Sequence, residues 1–218
     1  MDHQKHYLIC CGVLKKEIER LIADDCLIVE PLYLDVGLHV NPDELKKQLV
    51  QAIDRCSEDD SRAIIVVYGD LCHPNMKEIV GNYSNVTKVD ALNCIDCLLG
   101  GHGKLRDIDP NWDYFYLSPG WMPSSLRKSP TFNSFFNSYN DEQKKAMLCK
   151  LKGIIIFDTM DDLDGLKAEI EEFTSDVGLP IISIKTVGLE GLKGLITEAI
   201  QNHRGRPTSL DKNSKLNT

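Results

Sequence analysis

The 218 residues are 42% apolar and 27% charged, with a formal net charge of -8, an ordinary globular balance in a chain long enough to bury a sizeable core. The acidic balance excludes broad electrostatic binding to nucleic acid or to an anionic membrane surface, since both reward a basic face. No apolar run approaches the ~18 residues of a membrane span, and "MDHQKHYLICCGVL" lacks the charged, apolar and small-residue regions of a secretory signal, so the expected location is the cytoplasm.

Tyr7 to Cys10 reads as a strand and Leu14 to Ile22 as a helix, with Leu14, Ile18, Leu21 and Ile22 at helical spacing. Leu27 to Leu34 is a second strand interrupted by Pro31. A helix follows, with Asn41 as its N-cap, Pro42 in its first turn and Leu45, Leu49 and Ile53 on one face. Arg62 to Val67 is a third strand, Met76 to Val80 starts a helix, Val86 to Val89 is a short strand, and Asn93-Cys94 opens a helix that runs to Leu98-Leu99. This alternation predicts an α/β fold, mainly a parallel sheet flanked by helices.

Residues 109–140 break the pattern with a strand and an aromatic-rich excursion or lid carrying Trp121, Phe132, Phe135, Phe136 and Tyr139. Helix and strand then alternate again: a helix through Cys149, a strand at Gly153 to Phe157, a helix at Leu163 to Thr174, a strand at Pro180 to Ile184 and a helix at Glu190 to Asn202. Residues 1–203 are expected to form a single α/β domain, or two lobes meeting near 109–140, and residues 204–218 a flexible tail.

Eight cysteines in a reducing compartment favour metal or catalytic roles over disulfides. Ligands of parallel sheets collect outside the carboxyl ends of the strands, and Cys11, Cys72 and Cys94 each follow a strand. Three thiolates brought together there can hold an iron-sulfur cluster or a zinc ion and leave a coordination position open. The competing reading is plain packing, which is preferred for Cys10, Cys26, Cys56 and Cys149.

Cys97 forms a CxxC with Cys94, which is either a further ligand, a thiol-redox pair or a coincidence of spacing. His73 and His102 are further ligands or proton donors, or ordinary polar loop residues, and Asp70 orients one of these groups or caps a turn. Trp121 and Tyr68 wall the pocket, although Trp121 in "YLSPGWMP" also suits a packed anchor after a Pro-Gly turn. "LLGGHGKL" lacks the spacing and the Ser or Thr of a phosphate loop, and neither GxGxxG after a strand nor GxSxG occurs.

Together, "CGVLKKEIE", "YGDLC", "NCIDCLLGG", "YLSPGW" and "GIIIFDT" resemble a family of bacterial and archaeal proteins known mainly as a domain of unknown function, over about Leu8 to Leu195. Its cysteine motifs match Cys11, Cys72 and Cys94. This sequence has Leu92-Asn93 where relatives often carry His-Asp, and Cys97 where an apolar residue is usual. Members are often encoded beside corrinoid-dependent methyltransferases of methylamine or betaine type, so the resemblance implies anaerobic one-carbon metabolism. The expectations are a cysteine-held metal centre acting on a small-molecule substrate, a non-catalytic accessory protein that binds a corrinoid protein or its cofactor, or a thiol-redox protein using Cys94 and Cys97.

Overall fold

A computed structural model describes residues 5–59, 61–122, 126, 129–130 and 138–204. Four parallel strands, β1 (His6–Cys11), β2 (Val29–Leu34), β3 (Ile64–Val67) and β4 (Val86–Lys88), form a sheet in the order β2-β1-β3-β4. Alternate side chains leave opposite faces of a strand. Leu8, Cys10, Ile65 and Val67 therefore pack with Ile18 and Leu21 of α1 (Lys15–Ala23). Ile9, Ile64 and Val66 pack on the other face, with Leu45, Leu49 and Ile53 of α2 (Pro42–Cys56) and Met76, Ile79 and Val80 of α3 (Met76–Gly81). Each such fully buried aliphatic contributes roughly 1.5–3 kcal/mol. Pro31 sits in β2, an edge strand, where its missing N–H costs the sheet little. The Asn41 side chain accepts from Glu44 N at 3.2 Å and caps α2.

A second parallel sheet has the order β5-β6-β7, built from Tyr114–Leu117, Gly153–Asp158 and Ile181–Thr186. The expected α/β class holds, with the strands divided between two hydrogen-bonded sheets. Ile155 and Phe157 of β6 join the core of the first sheet, whereas Ile154 and Ile156 pack with Leu117 and Met122, and with Ile170 of α7 (Lys167–Val177). The last helix, α8 (Glu190–Arg204), returns to β3, β4 and α4 (Cys94–Leu99) and buries Leu192, Leu195 and Ile196 in the first core. Two short helices complete the described elements: α5 (Lys104–Ile108) and α6 (Asp141–Leu148). The 204–218 tail expected from the sequence lies outside the described residues after Arg204, as do Phe132, Phe135 and Phe136. Among the described residues, no helix is long and apolar enough to cross a membrane.

The strand order fixes where a ligand can sit. The chain leaves β1 for β2 on one side and returns to β3 on the other, so the loops after β1 and β3 diverge. A crevice at such a topological switch point is the standard ligand position of an open parallel sheet.

Candidate metal centre

Cys11 is the last residue of β1, Cys72 closes a 3-10 turn after β3 (Asp70–Cys72), and Cys94 is the first residue of α4, after β4. The two latter loops are bound tightly to each other. Asp70 N and Leu71 N donate to Ala91 O and Leu92 O, both at 2.9 Å. Gly69 lies so close to Leu92 and Asn93 that a side chain there would overlap their backbone. Asn93 caps α4 by accepting from Asp96 N at 2.9 Å. The fully buried Asp96 carboxylate accepts from Leu92 N and Gly103 N at 3.1 Å and from Leu105 N at 2.7 Å. These bonds tie both ends of α4 to one side chain and fix the backbone that carries Cys94.

The outcome is a single pocket lined by Cys11, Cys72, Cys94, Tyr68 and Trp121. Leu38, Leu45 and Val67 supply its apolar wall, and Asp35 and His39 complete it from the segment after β2. The enclosed cavity is about 20 Å³, room for about one water molecule. His39 is exposed at the rim and meets the Trp121 ring edge-on, with centroids 5.2 Å apart. The three sulfurs are not all within 4.8 Å of one another; among the described residues that spacing is met by Asp70, Asp90 and His102. Three thiolates on one tetrahedral zinc would stand about 3.8 Å apart, given Zn–S bonds of about 2.3 Å. A cluster that distributes its cysteines over different irons needs a wider spacing.

Burial raises all three thiols, and charge repulsion adds to it, from neighbouring cysteines at Cys11 and Cys94 and from Asp70 at Cys72; Cys11 is pushed up to about 12. Without a cation they are neutral at pH 7. The sulfurs nonetheless face groups that favour their ionised form: the Val13 backbone and the Tyr68 hydroxyl for Cys11, the Gly69 backbone and the Lys88 ammonium for Cys72, and the Trp121 indole for Cys94. Trp121 Nε1 donates to Cys94 Sγ at 3.0 Å. The buried Tyr68 hydroxyl approaches the Cys11 sulfur but closes no hydrogen bond of acceptable geometry, so a polar atom is left in the pocket without a full partner. Partial withdrawal from water lowers the His39 pKa below its usual 6.5, so its imidazole is neutral at pH 7. The donor set therefore suits a metal that displaces thiol protons, with N–H groups already turned toward the sulfurs.

The family model described as a protein of unknown function (DUF1638) matches residues 33–196. The chain belongs to this family. The match includes Cys72 and Cys94 and begins after Cys11, so the first cysteine motif lies outside the matched segment, which is shorter than the resemblance expected from Leu8 onward. No curated protein and no solved structure matches the chain.

Elsewhere in this DUF1638 protein, the remaining candidates are not among the side chains that line the pocket. Cys97 is fully buried in the first core. His73 Nδ1 accepts from Asn75 N at 2.9 Å and so closes a turn. Asp70 pairs with Lys88 at 2.9 Å and Lys77 at 3.0 Å, and His102 pairs with Asp90 at 3.4 Å. Cys10 and Cys56 fill core positions, but Cys26 and Cys149 are exposed, which corrects the expectation of packing for both. Cys26 occupies the turn after α1, where Leu27 takes the inward position, and Cys149 is the C-cap of α6.

Within the excursion after β5, Trp121 lines the pocket and Ser129 Oγ donates to Asp35 Oδ1 at 2.6 Å. Asp35 and His39 were missed by the sequence reading. Their signal was available: "DVGLHV" follows β2, and the carboxyl-end rule applied to β1, β3 and β4 applies to β2 as well.

Proposed function

We propose that this protein holds a metal centre through Cys11, Cys72 and Cys94, an iron-sulfur cluster in preference to a zinc ion. The observation that carries the reading is that cysteines from three separate strand ends share one pocket at the switch point. Their spacing, wider than a single tetrahedral ion accepts, favours the cluster. The small enclosed cavity adds a condition: the exposed His39 side of the rim must open to admit more than a single ion, while Trp121 stays in place. When bound, a cluster with three cysteine ligands supplies an iron position free of protein thiolate, suited to electron transfer or to a small ligand.

The chain's own residues have separable tasks. The three thiols bind and release their protons on loading. Leu38, Leu45 and Val67 exclude water, and neutral His39 at the rim can accept a proton from an entering ligand. The family resemblance and the expected cytoplasmic location make anaerobic, corrinoid-linked one-carbon metabolism the proposed setting. A thiol-redox role for Cys94 and Cys97 is disfavoured, because burial raises both thiols and the thiolate is the reactive form.

The test is iron, zinc and acid-labile sulfide analysis with a visible spectrum, on protein purified without oxygen. Iron with sulfide and a broad visible band that are lost in Cys72→Ser would support the cluster. Stoichiometric colourless zinc would replace it with Lewis-acid chemistry. Metal-free wild-type protein, or unchanged metal in Cys72→Ser, would overturn the site.

A second reading rests on Leu71, 64% exposed and directly before Cys72. An apolar residue displayed there suits docking of a corrinoid protein or its cofactor, and no binding at high micromolar concentration would remove that reading.

A further inference from the structure

Among the groups that face the pocket sulfurs, the Trp121 indole closes a hydrogen bond to Cys94 Sγ at 3.0 Å and is delivered by the other sheet. Trp121 ends the 3-10 turn Pro119–Trp121 that follows β5, and Cys94 stands at the end of the first sheet.

The turn is locked in place. Gly120 lies against Val13 O so closely that a side chain would overlap it, and Lys16 Nζ donates to Pro119 O at 3.2 Å. Trp121 N donates to Ser118 O at 2.9 Å, and His39 covers the ring edge-on at 5.2 Å. An indole held this firmly, with Nε1 3.0 Å from Cys94 Sγ, is aimed at the sulfur rather than merely packed near it.

We infer that Trp121 is a positioning residue of the metal centre, its indole N–H stabilising charge on the Cys94 sulfur and thereby setting the reduction potential of the centre. This rests on the three-cysteine reading. An N–H donated to a ligand sulfur stabilises the more negative, reduced form of a cluster. Because the donor arrives from β5, it also couples the second sheet to the centre.

The test variant is Trp121→Phe, which keeps an apolar ring and removes the donor. Anaerobically loaded variant should retain metal at neutral pH while its midpoint potential becomes more negative. If the metal is zinc, which undergoes no redox change, the indole measurement decides. A loaded variant with the wild-type potential would overturn the inference and leave the three-cysteine reading intact.

A second measurement needs neither metal nor a stable Trp121 variant. The chain has two tryptophans, Trp112 and Trp121, so a Trp112→Phe background assigns the ¹⁵N indole resonances of the metal-free, reduced protein. Cys94→Ala should move the Trp121 indole signal and speed its exchange with D2O while leaving Trp112 unchanged. An unmoved Trp121 signal would overturn the inference whether or not the protein binds metal.

Discussion

Replacing Gly69 with alanine tests how the cysteine loops are held together. The added methyl would overlap Leu92 O and Asn93 N, which are backbone atoms that cannot turn aside, so the β3 and β4 loops must separate. Overpacking of this kind costs about 1–3 kcal/mol. Separation also strains the bonds from Asp70 N and Leu71 N to Ala91 O and Leu92 O, each worth about 0.5–1.5 kcal/mol net. The sum is about 2–6 kcal/mol, which for a chain of this size lowers Tm by about 4–24 °C. Gly81, at the end of α3, has nothing within 4 Å of an added methyl and is the matched control, in which alanine should be neutral or slightly stabilising. Thermal unfolding followed by circular dichroism gives the stability, and metal content after anaerobic loading shows whether Cys72 and Cys94 still serve one pocket. A Gly69→Ala protein within about 1 °C of wild type, with undiminished metal, would refute the close packing of the two loops.

Asp96→Ala should destabilise by about 3–5 kcal/mol, because Leu92 N, Gly103 N and Leu105 N lose a charged acceptor together; a smaller loss in a denaturant titration would mean that water replaces the carboxylate. Stability of the metal-free protein should be fully present below about pH 9 and fall as pH rises toward about 12, since Cys11 holds its proton more tightly folded than unfolded. Tm measured under reductant should follow that window with a reduced slope in Cys11→Ala, and equal slopes would assign the loss to other groups. Loading should release about three protons per centre, one from each raised thiol, read with an indicator dye in weak buffer; release of fewer than two would mean that the sulfurs are ionised beforehand.

The first sheet was legible because its signals are local and agree. Ile64 to Val67 is apolar throughout and buried on both faces, and Asn41 and Asn93 cap the helices they precede. The division into two sheets was not legible. Nothing in the spacing of apolar residues says whether β5 pairs with β4 or with β6, since both pairings bury the same side chains in α/β surroundings. Helix α5 was also invisible as periodicity: it is five residues long, and Leu105 N at its start is satisfied by Asp96, a residue nine positions earlier.

For the site, sequence position after a strand identified Cys11, Cys72 and Cys94 because backbone direction alone carries them to one edge of the sheet. It could not separate Cys94 from Cys97. Both belong to α4 and are three residues apart, yet the one lines the pocket and the other is sealed in the core, because the cap at Asn93 and the Asp96 carboxylate fix the rotation of the helix. His73 does not line the pocket, and its Nδ1 meets a local backbone demand by accepting from Asn75 N. The positions least visible in the sequence, Asp35, His39 and the Trp121 N–H, come from two further segments that meet the cysteines only in the folded chain. A cysteine pattern can therefore point to a shared pocket, but the groups that face the sulfurs there come from residues whose positions exist only through tertiary contact, and for that reason Trp121→Phe tests the proposed centre more discriminatingly than any further cysteine substitution.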